Sequence, residues 1–250
     1  LKSLTEGMRA LVYKSYFMED ISRHAPDGEE RNRARGLLEL LTPLVKAYCS
    51  DRIFEMGREG IQILGGYGFT KEYPVEQYTR DCKILSIWDG TNYIQSMDLI
   101  GRKLAMEKGK VFRDWLDGVS GFVQESRKTD LFKLELDLLE EALEKVVEMS
   151  LGFMRWMKEG KLDLIPLAGT RFLDCMSEVV ISQLLLEQGC IAHERLGDGS
   201  LSEPDRCFYR GKVATVRYYC RNFLPQVFGR ARMIGLEDMT AVAMDEACLG

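Results

Sequence analysis

The sequence has 250 residues, of which 46% are hydrophobic and 29% are charged, a globular composition sufficient for one large domain or two of ordinary size. Its formal net charge of -5 argues against a nucleic-acid-binding protein, because no overall basic field is present to neutralise phosphates. No apolar run reaches the roughly 18–20 residues that a membrane-spanning helix needs, and no signal peptide is visible.

The first helices are predicted from the spacing of apolar residues. A helical stripe runs over residues 2–23, and the APDG sequence at 25–28 ends it with a turn. A second helix is predicted over 29–63, and it should kink or restart at Pro43, because proline lacks a backbone donor and clashes with the preceding turn. The helical pattern is already under way at Leu1, so we expect the sequence to be part of a longer protein or a processed product.

A glycine-rich segment interrupts the helices in the middle of the chain. The sequence GGYGFTKEYP at 65–74 combines three glycines with a proline and aromatic residues, which predicts a loop. A short helix at 75–82 follows. Next comes ILSIWDGTNYIQ at 84–95, in which Asp89 stands between a tryptophan and a glycine. A further helix is predicted over about 92–108.

The second half of the chain is predicted to be helical apart from turns. Four helices are predicted there, over residues 109–126, 131–157, 166–196 and 202–229. Ser202 is the expected N-cap of the last helix and Pro225 its expected bend, while Met157 is expected on a buried helix face. No run of alternating β-branched residues predicts a strand. The predicted fold is therefore all-α, with a helical bundle over 1–107 followed by a second helical bundle over 108–250.

The seven cysteines and two histidines form no recognisable metal or catalytic motif. No CxxC pair occurs, and His24 and His193 lie far apart in the sequence. We therefore predict no metal site and no cysteine nucleophile. The cysteines are expected to be reduced thiols in a reducing compartment.

The block from residue 65 to residue 95 carries a specific family pattern. Its elements are GGYGF (Gly65, Gly66, Gly68, Phe69), EYPVE (Glu72–Glu76), the pair Arg80 and Asp81, and DGT followed by IQ (Asp89, Gly90, Thr91, Ile94, Gln95). This pattern resembles the end of the C-terminal helical domain of the acyl-CoA dehydrogenases, and the resemblance covers roughly residues 1–105. The continuation SMDLIGRKL resembles the larger members, which append a further helical domain. The chain is thus identified as the C-terminal part of a large-type acyl-CoA dehydrogenase.

The resemblance implies a flavin enzyme that oxidises an acyl-CoA thioester. In the family, FAD is the cofactor, a carboxylate removes the α proton, and the β hydrogen leaves as a hydride to the flavin. That carboxylate corresponds to Asp89, where the family usually has glutamate. The shorter side chain loses about 1.5 Å of reach. Some family members that act on alicyclic acyl-CoAs are similar in using aspartate as the base. Because these 250 residues contain no β domain of the family type, we expect the chain by itself to be inactive and not to retain FAD.

The resemblance also assigns roles to residues other than the base. The expected substrate-binding residues are Trp88, Gly90 and Tyr67, and the expected FAD-binding residues are Gln62, Gly66 and Thr91. Trp88 would exclude water from the base, and Gly90 would let the substrate and the flavin come close. Gln62 and Gly66 match family positions that contact the adenine side of FAD from a neighbouring subunit.

Simpler structural explanations exist for several of these residues. Asp89 precedes Gly-Thr at a predicted helix start, where an aspartate is a common N-cap. Gly65 and Gly66 fit a helix C-cap, and Tyr67 fits an ordinary packed aromatic residue. For the whole protein, the alternatives are a catalytically inert helical scaffold of the same fold and an acyl-CoA oxidase.

The expected partners and location follow from the resemblance. They are an acyl-CoA substrate, an electron-transfer flavoprotein as the electron acceptor, and further copies of the same chain in a homo-oligomer. No nucleic acid partner is expected, because of the negative charge. A bacterial cytoplasmic location is expected in preference to the mitochondrial matrix.

Overall fold

The computed structural model describes residues 1–248, and in these residues the chain forms helices and no strand. Nine α-helices follow one another in this part of the chain: α1 (Lys2–His24), α2 (Gly28–Leu64), α3 (Pro74–Cys82), α4 (Asn92–Asp98), α5 (Met106–Ser126), α6 (Lys133–Glu159), α7 (Leu164–Leu196), α8 (Glu203–Gly235) and α9 (Thr240–Ala243). Short 3₁₀ segments lie at Gly65–Phe69, Lys83–Ser86 and Glu246–Cys248, and a π-helical turn lies at Leu99–Lys103. The predicted all-α fold is confirmed.

Helix α2 is continuous through Pro43, so the predicted restart at this residue does not occur. Pro43 is buried and lies close in sequence to Leu41 and Leu44, which are buried in the core. Each buried leucine contributes roughly 1.5–3 kcal/mol, and two of them match or exceed the roughly 3 kcal/mol that an internal proline costs a helix. Packing therefore overrides the local preference at this position.

Two helix starts have the caps that their sequences indicate. The side chain of Asp27 accepts hydrogen bonds from the backbone N–H groups of Glu29 at 3.2 Å and Glu30 at 3.0 Å, which caps α2 after the predicted turn. Ser202 Oγ accepts a hydrogen bond from the backbone N–H of Asp205 at 3.3 Å and caps α8. The predicted N-cap at Ser202 is confirmed.

The predicted helix over 92–108 is wrong in its second half. Helix α4 ends at Asp98 and the π-helical turn follows it. Near the start of α5, Glu107, Lys108 and Gly109 have φ angles of 50°, 58° and 79°, which are left-handed and interrupt the helix. The predicted boundary between two bundles falls within this break. That the two parts are separate domains stays a prediction.

Helix α7 is the central helix of the described chain. Helices α1, α2, α4, α6 and α8 all pack against it. Its sequence is apolar around most of its circumference, so Val179 and Ile181 are both fully buried although they lie on opposite faces of the helix. The position of α7 places the first helices and the last helices on one common core.

The ends of α6 and α8 differ from their predictions. Met157 was expected on the buried face of α6 but is 45% exposed. The preceding residue, Trp156, takes the core position instead, and its Nε1 donates a hydrogen bond to the Glu237 carboxylate at 2.9 Å. Helix α8 continues through Pro225 and ends at Gly235, beyond its predicted end.

A buried tyrosine pair connects α2 to α8. The hydroxyl groups of Tyr48 and Tyr219 lie 3.1 Å apart, and both side chains are fully buried. The ring of Tyr219 also stacks on Phe223, with centroids 4.4 Å apart. Since buried hydroxyl groups need a hydrogen-bond partner, the pair fixes the two helices in one register.

Candidate functional site

The segment Ile87–Thr91, called the Asp89 loop below, joins the 3₁₀ segment Lys83–Ser86 to α4. Asp89 has a φ of 50° and Gly90 a φ of 84°, so both lie in the left-handed region. This conformation suits glycine but costs a side-chain-bearing residue of the order of 1–3 kcal/mol. Such strain is concentrated at functional sites, and the Asp89 carboxylate lies on an exposed surface.

The N-cap of α4 is Thr91 and not Asp89. Thr91 Oγ1 accepts a hydrogen bond from the backbone N–H of Ile94 at 3.3 Å. Within residues 1–248, the Asp89 carboxylate has no hydrogen-bond or ion-pair partner. The explanation of Asp89 as a helix cap is therefore wrong, and its carboxylate is free to contact a ligand.

Buried hydrogen bonds attach Asn92, the first residue after the Asp89 loop, to α2. Asn92, which is 8% exposed, donates through Nδ2 to the backbone carbonyl of Ala47 at 3.2 Å and to Ser50 Oγ at 2.9 Å. Its Oδ1 accepts a hydrogen bond from Lys46 Nζ at 2.9 Å. These residues were not predicted as site residues. The available signal was Lys46 and Ser50, two polar residues four apart on one face of the mostly apolar stretch 43–50 of α2.

Lys46 brings a positive charge to this region. Partial burial lowers the pKa of Lys46, and the carboxylates of Asp51 and Asp89 act in the opposite direction. The ammonium group is therefore within electrostatic range of the Asp89 loop while it is hydrogen-bonded to Asn92.

The 3₁₀ segment Gly65–Phe69 is called the glycine loop below. Gly65 ends α2 with a φ of 60°, and its N–H donates to the carbonyl of Gln62, so the C-cap explanation of Gly65 is confirmed. A Cβ on Gly68 would lie 2.7 Å from the Ile61 carbonyl oxygen, so only glycine fits there. A Cβ on Gly66 would meet nothing within 4 Å, and the backbone at Gly66 is open to close approach.

The predicted site residues form two groups, one next to the middle of α2 and the other at its C-terminal end. Asn92 contacts α2 at Ser50, whereas Gln62 lies twelve residues further along the helix, or about 18 Å at 1.5 Å per residue. One group combines the candidate base Asp89 with the substrate candidates Trp88 and Gly90 and the FAD candidate Thr91. The other group combines the FAD candidates Gln62 and Gly66 with the substrate candidate Tyr67. A small ligand held by one chain cannot contact both groups.

The surface around Asp89 is strongly apolar. Trp88 is 55% exposed and Ile87 is 57% exposed, so neither keeps water away from Asp89 within this chain. The exposed apolar residues of this surface are Ile84, Leu85, Ile87, Trp88, Tyr93 and Ile94. Six exposed apolar side chains within eleven residues of sequence are typical of an interaction site.

A separate cleft of about 520 Å³ lies between α1, α2, α5 and α7. Its floor is apolar, with Leu41, Trp115 and Val180, and its rim is charged. None of the predicted site residues lines it. In the part of the chain that the structure describes, no group of three or more His, Cys, Asp or Glu residues is arranged to hold a metal, and none of the helices is long and apolar enough to cross a membrane.

Comparison with protein families accounts for both halves of the chain. The family model "Acyl-CoA dehydrogenase, C-terminal domain" matches residues 4–105, and the model "Acetyl-CoA dehydrogenase C-terminal like" matches residues 115–245, more than half of the chain.

The chain belongs to the acyl-CoA dehydrogenase family. A butyryl-CoA dehydrogenase of Syntrophomonas wolfei is 37% identical over 251 residues, which cover 99% of this chain and 40% of the relative. The broad-specificity linear acyl-CoA dehydrogenase FadE5 of Mycobacterium tuberculosis is 31% identical over 252 residues, which cover 98% of this chain and 41% of the relative.

A solved acyl-CoA dehydrogenase from Bacillus anthracis, complexed with FAD, has the same fold. It superimposes with a TM-score of 0.67 at 19% identity, and the match covers 98% of this chain and 42% of that one. The chain thus spans about two-fifths of the length of the acyl-CoA dehydrogenases that it matches, and it corresponds to their C-terminal domains.

Proposed function

We propose that this chain is the C-terminal part of a flavin-dependent acyl-CoA dehydrogenase that desaturates an acyl-CoA thioester between its α and β carbons, with Asp89 as the base. The observation that carries the proposal is the conformation of Asp89. Its carboxylate is left without a partner in residues 1–248, on a strained backbone and beside an apolar surface. The names of the relatives, which include a butyryl-CoA dehydrogenase, support an acyl-CoA substrate.

Different residues of the Asp89 loop bind the substrate and remove its proton. The Asp89 carboxylate accepts the α proton, and its unpaired oxygens leave it free to do so. Gly90 places no side chain next to the base. A Cβ there would also lie 2.8 Å from the Gln95 side-chain amide nitrogen. Trp88 offers an apolar surface to the acyl group, which would cover its exposed ring and remove water from around the base.

FAD supplies the acceptor for the β hydride when it is bound. The residues of this chain fit contact with a part of that cofactor: Gln62 and Thr91 carry an amide and a hydroxyl group, and Gly66 leaves its backbone open. Gln62 lies about 18 Å along α2 from Ser50, the partner of Asn92 next to Thr91. This separation supports contact of Gln62 with an FAD molecule held mainly by a neighbouring subunit.

We also propose a homo-oligomer in the bacterial cytoplasm, with an electron-transfer flavoprotein as the electron acceptor. Two exposed aromatic residues of the glycine loop, Tyr67 and Phe69, support the oligomer, because aromatic side chains are enriched at subunit contacts. The acceptor and the location rest on the family resemblance.

The decisive variant is Asp89→Asn in the full-length flavoprotein, mixed anaerobically with butyryl-CoA while flavin absorbance is followed. We expect the rate of flavin bleaching to fall by at least about 100-fold, since a positioned general base contributes about 10²–10⁴ in rate. Flavin content should stay unchanged. The matched control is Asp81→Asn, an exposed aspartate near the site whose nearest partner is Arg80 at 3.7 Å.

Three outcomes would contradict the proposal. Bleaching of Asp89→Asn at the unmodified rate would remove Asp89 as the base. A colourless full-length protein would favour the inert scaffold. If the protein in air forms one hydrogen peroxide for each acyl-CoA consumed, without any electron-transfer flavoprotein, it would be an acyl-CoA oxidase.

A further inference from the structure

We infer that Asn92, held by Lys46 and Ser50, is a positioning residue that fixes the Asp89 loop against α2. The inference rests on the proposed function of Asp89 as the base. Within residues 1–248, every hydrogen bond between α2 and the segment 83–95 involves Asn92. The anchor lies three residues after Asp89, at the start of α4.

The Asn92 side chain is nearly saturated with hydrogen bonds in a buried place. Its amide nitrogen donates to the Ala47 carbonyl and to Ser50 Oγ, and its amide oxygen accepts from Lys46. A buried amide with these partners has one orientation, because any rotation would leave polar groups unpaired at a cost of about 1–3 kcal/mol each. The start of α4 is therefore fixed relative to α2.

The Asp89 loop needs such an anchor. Asp89 and Gly90 are left-handed, and the Asp89 carboxylate has no partner of its own in the described residues. A base whose side chain is one methylene shorter than glutamate also tolerates less displacement from the proton. A displacement of about 1 Å can cost of the order of 100-fold in rate. Residues behind the base must therefore hold it in place.

Lys46 is the member of this network that can be changed with least damage to the fold. It is only partly buried, whereas Asn92 and Ser50 are buried and their loss would disturb packing. Lys46→Met keeps the length of the side chain but removes the donor to Asn92 Oδ1. Lys46→Arg keeps a donor and the charge, and so serves as the conservative variant.

The test uses the full-length flavoprotein with butyryl-CoA. For Lys46→Met we expect flavin reduction to slow by about 10–100-fold, with KM, flavin content and Tm close to those of the unmodified protein. Lys46→Arg should recover most of the rate. The matched control is Lys145→Met on α6, a partly exposed lysine that is paired with Glu148 at 2.7 Å; it should leave the rate unchanged.

The inference is overturned if Lys46→Met reduces flavin at the unmodified rate, or if its loss of rate is matched by an equal loss of flavin or is not recovered by Lys46→Arg. Asp89→Asn, measured in parallel, separates the two proposals. Full activity of Asp89→Asn would remove the proposed base itself. An inactive Asp89→Asn together with a fully active Lys46→Met would remove only the anchor.

Discussion

At the scale of single residues, the motif around Asp89 could be located from the sequence, but its conformation could not. The DGT sequence contains two residue types that cap helices, and only the position of the first helical turn decides between them. In the structure Thr91 is the cap and Asp89 is left-handed. The Asn92 anchor also escaped prediction, because its partners lie more than forty residues away in the sequence.

A second unusual residue is Glu178, which belongs to a buried charge cluster of Arg52, Asp174, Glu178 and Arg230. Arg230 Nη1 donates to Glu178 Oε2 at 2.7 Å, and Arg52 Nη2 lies 3.4 Å from Asp174 Oδ2. Burial raises the pKa of Glu178 to about 7, although the charges of Arg230 and Arg52 oppose this shift. Burial also raises the pKa of Asp174. The cluster joins α2, α7 and α8.

We predict a pH-dependent effect of Glu178→Gln on stability. A carboxyl group whose folded pKa is raised from 4.5 to about 7 contributes stability below pH 4.5 and loses it as the pH rises through 7. The amide of the variant cannot titrate. The Tm of the variant minus the Tm of the unmodified protein should therefore increase between pH 5 and pH 8, by about 5 °C.

Differential scanning calorimetry at several pH values measures this difference in Tm. Glu148→Gln on the exposed face of α6 is the control, and its difference should stay constant. A constant difference for Glu178→Gln as well would show that Glu178 does not titrate in this range.

At the scale of helices, the contact between α2 and α3 depends on glycine. A Cβ at Gly57 would lie 2.5 Å from Thr79 Oγ1 and 3.1 Å from Thr79 Cα, and a Cβ at Gly60 would lie 2.8 Å from Val75. The backbones of the two helices approach closely as a result. Since α3 leads to the Asp89 loop through the 3₁₀ segment Lys83–Ser86, this contact also helps to place the candidate site.

We predict that Gly57→Ala destabilises the protein by about 1–3 kcal/mol, because the added methyl group forces α3 away from α2. Gly121→Ala in α5 is the matched control, since a Cβ there meets nothing within 4 Å. The control should stabilise its helix by about 0.5–1 kcal/mol. Urea unfolding followed by circular dichroism measures both, and equal effects of the two substitutions would contradict the close contact.

Most helices were predictable at this scale, and the failures have local causes. Long amphipathic runs such as α6 and the capped start of α8 are encoded by nearby residues. The break near the start of α5 is different. Two of its three left-handed residues, Glu107 and Lys108, are ordinary helix formers, and only Gly109 hinted at an interruption. Glu107 and Lys108 are exposed, and Arg113 Nη1 donates a hydrogen bond to the Lys108 carbonyl at 3.0 Å, a contact that propensity and periodicity do not predict.

At the scale of the whole molecule, α7 joins the first helices and the last helices in one core. We predict that the chain unfolds in a single cooperative thermal transition, because separating α1 and α2 from α7 would expose buried residues such as Leu11, Leu44 and Tyr48. Calorimetric and van't Hoff enthalpies should agree. Two resolved transitions would show instead that the bundles over 1–107 and 108–250 are independent domains.

Helix α2 has 37 residues and is therefore about 55 Å long. The glycine loop continues from its end, and Asn92 is hydrogen-bonded to its middle. Because such a helix is stiff, a displacement of its end at the glycine loop would also move its middle, where Asn92 is bound. A neighbouring molecule bound to the glycine loop would thus change the position of the Asp89 carboxylate without contacting it.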